Sequence, residues 1–359
     1  MKVAIIGAGV SGLSCANALR GHAEVVLFDK ARGPWGRLAS RSDVDSGESW
    51  DFGAQYFTAR SDAFREEVDR LVALGTVAEW QGRIVALALK DEASGLRDVG
   101  GGPRFVGVPT MRALALHWAH DLQVHTNARV ISLERGPTWT LTTESGERHP
   151  DFDAVIIALP SHQALSLLSS VEDSTELPPA SRSEPLHAAV ASVKMTPCWA
   201  AMVSFDAPVP LPFDGAFVGT PETPLSPLAW VARDSSKPGR PDGERWVLHA
   251  SPAWSEQHLE DDADAVARML GQAFTELAQR LDVTLPTSRM RVHRWRYAQA
   301  ANPLDVGAIW DSTLTLGVCG DWCMGNRIEG AWLSGRHAAQ DLLESPKVSA
   351  PHRMKRKAP

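Results

Sequence analysis

The chain has 359 residues, 44% of them hydrophobic and 22% charged, with a formal net charge of −7. That balance belongs to an ordinary globular protein of about two domains and excludes a disordered, collagen-like or coiled-coil chain. The acidic balance argues against nucleic acid as the main partner, and no stretch approaches the roughly 18 unbroken apolar residues of a membrane span.

Only Lys2 precedes the apolar run Val3–Ile6, and a Gly-rich turn follows at once. This is not the layout of a secretory signal, so a cytoplasmic location is expected. Val3–Ile6 has the continuous apolar character of a strand buried on both faces of a parallel sheet. Leu13, Ala16 and Leu19 then recur on one helix face, and Val25–Phe28 forms a second strand ending at Asp29. Short strands are predicted at Val124, Val130–Leu133 and Trp139–Thr143, with turns at Gly136-Pro137 and Ser145-Gly146. Val155–Ala158 repeats the buried-strand pattern and stops at Pro160. Residues 206–245 contain Pro208, Pro210, Pro212, Pro221, Pro224, Pro227, Pro238 and Pro241, which predicts edge strands and long loops rather than a buried sheet. An amphipathic helix is predicted within 257–281, carrying Val266, Met269, Leu270, Phe274, Leu277 and Leu281 behind an acidic first turn. Leu314–Cys319 is a last apolar strand, followed by a turn and a helix from about Glu329 to Leu343. The end of the chain, with Lys347, Arg353, Lys355, Arg356 and Lys357 and no acidic side chain, reads as a solvated basic tail.

Gly7-Ala8-Gly9-Val10-Ser11-Gly12 is a G-x-G-x-x-G run placed after a strand and opening a helix. Gly7 permits the tight turn, Gly9 lets a pyrophosphate approach the backbone, and Gly12 lets helix and strand pack closely. The helix N-terminus supplies N–H groups for the phosphates, and Asp29, at the end of the second strand, can accept ribose hydroxyls. The fingerprint alone fits FAD or NAD. Gly36 and Arg37 follow the second strand, where Arg37 can offer a forked contact to a pyrophosphate. Asp321 lies after the last strand, where it can hold a ribityl hydroxyl, and Glu329-Gly330 sits at a helix start. Together these favour FAD. Four cysteines are too few for a disulfide framework, and Cys319 and Cys323, with no adjacent His, do not make a zinc site. No nucleophile–base pair, metal cluster or carboxylate pair stands out, so no catalytic side chain is assigned.

The whole pattern is similar to the two-domain flavoproteins of the amine-oxidase and para-hydroxybenzoate-hydroxylase type. Asp51-Phe52-Gly53-Ala54-Gln55-Tyr56-Phe57-Thr58-Ala59-Arg60, Gly320-Asp321-Trp322-Cys323 and Arg327-Ile328-Glu329-Gly330-Ala331-Trp332-Leu333-Ser334-Gly335 resemble the bacterial renalases. Val193–Trp199 and His293–Ala298 fit the same family. Two departures are Trp35, where a small residue is usual, and Cys198, where a threonine is expected.

The resemblance implies a mixed α/β fold: a Rossmann-like FAD-binding domain with a parallel sheet and a mixed α+β substrate domain, in para-hydroxybenzoate-hydroxylase-like topology. The expected division is 1–60, 104–160 and 300–345 for FAD, 61–103 and 161–299 for substrate, and 346–359 as tail. It further implies non-covalent FAD, contacted by Ser11, Asp29, Lys30, Arg37, Gln55, Val130 and Asp321. Tyr56, Phe57, Thr58 and Ala59 would lie along the flavin and substrate, with Arg104, Cys198 and Ile328 also in the pocket. The implied reaction is oxidation of 2- and 6-dihydro isomers of NAD(P)H to NAD(P)+, with O2 reduced to H2O2. The implied partners are that dinucleotide and O2, without nucleic acid or membrane. Two other readings stay open: a flavin amine oxidase, and a flavin- or nucleotide-binding module without turnover.

Overall fold

The structure is a computed structural model that describes residues 1–43, 46–87, 95–172, 184–219 and 227–346. The basic tail from Lys347 onward lies outside the described residues. The chain divides into two compact units.

One unit comprises residues 1–36, 118–194 and 300 onward. Its six-stranded sheet runs in the order Ile309–Asp311, Leu316–Val318, Ala154–Ile157, Lys2–Ile6, Glu24–Phe28 and Gln123–His125. Every adjacent pair is parallel except the first, a hairpin. Val3, Ala4, Ile5 and Ala154–Ile157 are all fully buried. A strand covered on both faces requires that continuous apolar run, which is why these elements are readable in the sequence. A three-stranded antiparallel sheet, Val130–Arg135, Trp139–Thr143 and Arg148–Phe152, accompanies it.

The opening helix, Val10–Ala18, is crossed by the closing helix, Ile328–Glu344. Glycine makes the crossing close: a Cβ on Gly335 would lie 2.1 Å from the Ser11 carbonyl oxygen and 2.9 Å from the Cys15 amide nitrogen. Beside it the Ser14 hydroxyl donates to the Trp332 carbonyl at 2.6 Å. Cys15, Cys319 and Cys323 are buried as free thiols in the same unit. Burial pushes the Cys15 thiol up to about 12 and the other two upward as well.

The other unit comprises residues 37–117 and 195–299. Its sheet has seven strands in the order Ser288–Ala300, Met195–Phe205, Glu244–Ala250, Leu228–Arg233, Gly215–Val218, Ile84–Leu87 and Leu96–Asp98. The helix Ala263–Gln279 packs Val266, Leu270, Phe274 and Leu277 on one face of it, against Val203, Val231, Trp246 and Leu248. Asp262 caps that helix by accepting from the Asp264 and Ala265 amides, so the acidic run before it is a cap signal.

The proline-rich stretch departs from expectation. Residues 206–245 supply Gly215–Val218 and Leu228–Arg233, which are interior strands of the seven-stranded sheet. Pro208, Pro210 and Pro212 precede the first of these, Pro227 immediately precedes the second, and Pro238 and Pro241 follow it. In this stretch the described prolines stay out of the ladders and mark their ends; Pro221 and Pro224 lie outside the described residues.

The boundaries also fall elsewhere than expected. Residues 37–60 and 104–117 belong with 195–299, because Phe57 and Phe105 bridge each other and Asp51 bonds to residues around 234–240. Residues 161–194 belong with the parallel-sheet unit, where the Ser170 hydroxyl accepts from the Leu133 amide at 3.2 Å. Among the described residues no helix is long and apolar enough to cross a membrane.

Substituting Gly335→Ala forces the two crossing helices apart. The expected cost is about 1–3 kcal/mol, read as a lowered urea midpoint; an unchanged midpoint contradicts the tight contact.

Candidate functional site

The Gly-rich loop has the geometry its sequence predicts. Gly7 has φ +105°, and a Cβ there would lie 2.4 Å from the Ala158 carbonyl oxygen; one on Gly12 would lie 1.9 Å from the Gly7 oxygen. These two glycines are required by the fold itself. Gly9 differs. It has ordinary extended geometry, caps the opening helix without a side-chain bond, and has nothing within 4 Å of where its Cβ would be. Gly36, at φ +47°, comes back to within 3.2 Å of the Gly9 Cα, measured from its own would-be Cβ. An uncapped helix start with open space before it and no acidic residue in its first turn fits an anionic pyrophosphate.

At the end of the second strand Asp29 accepts from the Ala8 and Ala31 amides, at 2.8 Å each, one on each carboxylate oxygen. Its role in the apoprotein is therefore to brace the glycine loop, and each oxygen keeps a lone pair for a ribose hydroxyl. Burial raises its pKa, against the lowering effect of those amides and of Lys30. Lys30 is exposed, with its pKa lowered by desolvation and then by Arg129, while Val130 is buried at the start of its strand. Ser11 is buried and its side chain is hydrogen-bonded to the Cys319 thiol, so it faces inward. Asp321 and Glu329 are both buried, in the turn before the closing helix and in its first turn. Gly330 is required there, since a Cβ would lie 2.2 Å from the Met324 carbonyl oxygen. Ile328, half-buried, opens this helix and belongs to the parallel-sheet unit.

In the other unit, residues 51–55 are fixed atom by atom. Asp51 is fully buried; its carboxylate accepts from the Ser40 hydroxyl at 2.6 Å, from the Met111 amide at 2.9 Å and from Arg240. Lys237 lies 3.5 Å from the same carboxylate and donates to Asp234 at 2.6 Å. Two carboxylates and two cations thus neutralise each other out of water. Desolvation pushes the Asp51 carboxyl up, but Lys237 and Arg240 outweigh it and hold it below its ordinary value; Asp234, with the charge of Asp51 beside it, is driven up by burial. The Phe52 carbonyl is held by the Trp295 indole at 3.1 Å and by His249 Nε2 at 3.2 Å. Gly53 leaves room for the Arg37 carbonyl, 2.1 Å from its would-be Cβ, and the Ala54 amide donates to that carbonyl at 2.9 Å. Arg37 in turn donates to the Ala298 carbonyl at 2.8 Å.

This clamp changes how several predicted residues read. Gln55 donates to the Asp51 and Gly53 carbonyls and accepts from Lys237 at 3.3 Å, so both amide protons serve the chain. Phe57 is buried against Phe64 and Phe105 and is a core residue. Tyr56 instead stays half-buried in an aromatic group with Trp80 at 6.2 Å and Trp230 at 5.6 Å, the Arg104 guanidinium 5.7 Å from its ring. Thr58 and Ala59 are half-buried beyond it. Cys198 is half-buried on the strand Met195–Phe205, its thiol directed at the Ala250 carbonyl at 3.6 Å and pushed up to about 12 by burial.

Sequence reasoning missed Asp234, Lys237, Arg240, His249 and Trp230. Asp234, Lys237 and Arg240 fall in the proline-rich stretch read as loop. Only the spacing of one Asp, one Lys and one Arg within seven residues hinted at a charge cluster, and nothing local ties it to Asp51.

Two family models match the chain. Residues 80–343 match the model described as flavin containing amine oxidoreductase, and residues 5–71 match an NAD(P)-binding Rossmann-like domain. The chain belongs to the flavin-containing amine oxidoreductase family. Among solved structures, a putative protoporphyrinogen oxidase from Exiguobacterium sp. 255-15 is similar, with a TM-score of 0.70 at 12% identity over 95% of this chain and 98% of that one. A redesigned putrescine oxidase double mutant gives a TM-score of 0.64 at 13% identity, with the same coverage. Both share the fold. Membership of this family of flavin oxidoreductases makes FAD the implied cofactor, and the loop around Gly9 fits it.

Two substitutions separate the roles found here. Gly9→Ala places a methyl group in open space, so the apoprotein should keep its urea midpoint while FAD affinity falls at least about tenfold, measured by flavin fluorescence. Equal FAD affinity would contradict the assignment of that space. Asp51→Asn leaves two buried cations facing one carboxylate and should cost about 3–5 kcal/mol in urea unfolding, while a loss below about 1 kcal/mol would show the cluster to be dispensable.

Proposed function

We propose that the protein is an FAD-dependent oxidase of dihydronicotinamide dinucleotides, acting on the 2- and 6-dihydro isomers of NAD(P)H. The reading is supported by the resemblance of Asp51–Arg60 to the renalases. The observation that carries it further is the charge around Tyr56. The Arg104 guanidinium lies against Tyr56, 5.7 Å from its ring, and Lys237 is 5.8 Å from the Trp80 ring. The carboxylates behind them, Asp51 and Asp234, are fully buried and already paired. With that cluster neutral, the guanidinium of Arg104 beside Tyr56 is the charge that suits an anionic dinucleotide.

The chemistry needs little from side chains. Loss of hydride from a dihydropyridine ring is driven by its aromatisation, so the protein's task is to bind and orient the ring and to admit oxygen. Bound FAD supplies the two-electron acceptor, giving NAD(P)+ and H2O2 from the dihydro isomer, O2 and one proton. Gly9 and the helix start behind it would hold the pyrophosphate, and Asp29 the adenosine ribose. Tyr56 and Arg104 would receive the substrate. His249 stays neutral at working pH, because desolvation lowers its pKa to about 4.

The test is an anaerobic titration of the FAD-loaded protein with mixed 2- and 6-dihydroNAD. Stoichiometric bleaching of the flavin with formation of NAD+ is expected. A flavin that stays yellow with these isomers but bleaches with amines would replace this reading by an amine oxidase. A flavin bleached by neither would leave a binding module.

A further inference from the structure

One row of side chains on the seven-stranded sheet has hydrogen-bonding groups that the fold leaves open. Across the ladders, His249 pairs with Ala200 on one side and with Trp230 on the other, Trp230 pairs with Phe217, and Phe217 with Ala86. Directly paired residues project to the same face, and here it is the face opposite Val231 and Leu248, which pack in the core. Ala200 and Ala86 are small, so the row sets three rings, His249, Trp230 and Phe217, between two short side chains, with Phe217 inclined at 60° to Trp230.

One atom in this row lacks a conventional explanation. Trp230 is only 6% exposed and its Nε1–H has no hydrogen-bond partner. Buried indole donors are ordinarily satisfied, because an unmade bond there costs the desolvation of the group. Next to it, His249 directs Nε2 at the Phe52 carbonyl, 3.2 Å away. A carbonyl only accepts, so Nε2 carries the proton and Nδ1 of the neutral ring presents a lone pair. Neighbouring residues of one face therefore offer one donor and one acceptor. Over them stands Tyr56, 5.6 Å from the Trp230 ring and held by ring contacts and Arg104 alone, so it is the neighbour able to give way to a ligand.

We propose that Trp230 and His249 read a primary carboxamide carried on a flat aromatic ring, Trp230 Nε1–H donating to the amide carbonyl and His249 Nδ1 accepting from the amide N–H. A carboxylate fits only the donor and is refused by the imidazole lone pair; an amine fits only the acceptor. The site so defined selects a neutral amide and lies wholly within the unit of residues 37–117 and 195–299. The choice of nicotinamide as the ring rests on the dihydronicotinamide reading above.

Binding of free nicotinamide and of 3-acetylpyridine to the FAD-loaded protein, measured by calorimetry, tests this without turnover. The two ligands differ in the amide N–H alone, so the wild-type protein should bind nicotinamide about tenfold more tightly. Trp230→Phe keeps a ring and removes the donor; it should weaken both ligands about tenfold and leave their ratio unchanged. Equal affinity of the wild-type protein for the two, or no binding of nicotinamide, overturns the proposal, and neither result depends on the variant folding. Flavin bleaching by 2- and 6-dihydroNAD is read on the same preparation. Bleaching without ligand discrimination sinks the amide site alone, and discrimination without bleaching sinks the proposed reaction while upholding the amide site.

Discussion

The buried charge cluster at Asp51 is the constraint on which the unit of residues 37–117 and 195–299 turns. A carboxylate removed from water is tolerable only when cations and amides surround it, and Asp51 gathers Ser40, Met111, Lys237 and Arg240 from three separate stretches of chain. Everything that follows in sequence inherits that anchorage. Phe52, Gly53 and Ala54 are held through their backbones, Gln55 bonds to Lys237, and Tyr56 follows beside its aromatic neighbours. A neutral cluster of this kind contributes little net stability compared with an apolar core of equal volume, but it tolerates only one arrangement of its members.

The dinucleotide side is governed by contact distance instead of charge. Gly7, Gly12, Gly330 and Gly335 each sit where a Cβ would overlap a neighbouring backbone or side-chain atom, and together they bring the starts of the opening and closing helices into one compact unit. Within the G-x-G-x-x-G run, Gly7 and Gly12 are set by packing, whereas Gly9 has open space where its Cβ would be.

Much of this was legible in the sequence because it is local. A strand buried on both faces must read as Val-Ala-Ile-Ile, a capped helix must begin after Asp262, and G-x-G-x-x-G must follow a strand to mean anything. Fold class and the dinucleotide loop come from such patterns. The charge cluster was not legible, since Asp51 and Arg240 are 189 residues apart and meet only through tertiary structure. The proline-rich stretch misled for a related reason: proline density reports where ladders end, not whether the strands between them are central. Gln55 and Phe57 were placed by their position in a motif, whereas their hydrogen bonds and burial assign them to the scaffold.

The thiols of the parallel-sheet unit carry a consequence of their own. Oxidants of the peroxide type attack the thiolate, and burial keeps Cys15, Cys319 and Cys323 protonated far above neutral pH. Cys198, in the other unit, is likewise held up to about 12. In the parallel-sheet unit, the close packing that lets two helices cross at a glycine thus also withholds its thiols from oxidants of this kind.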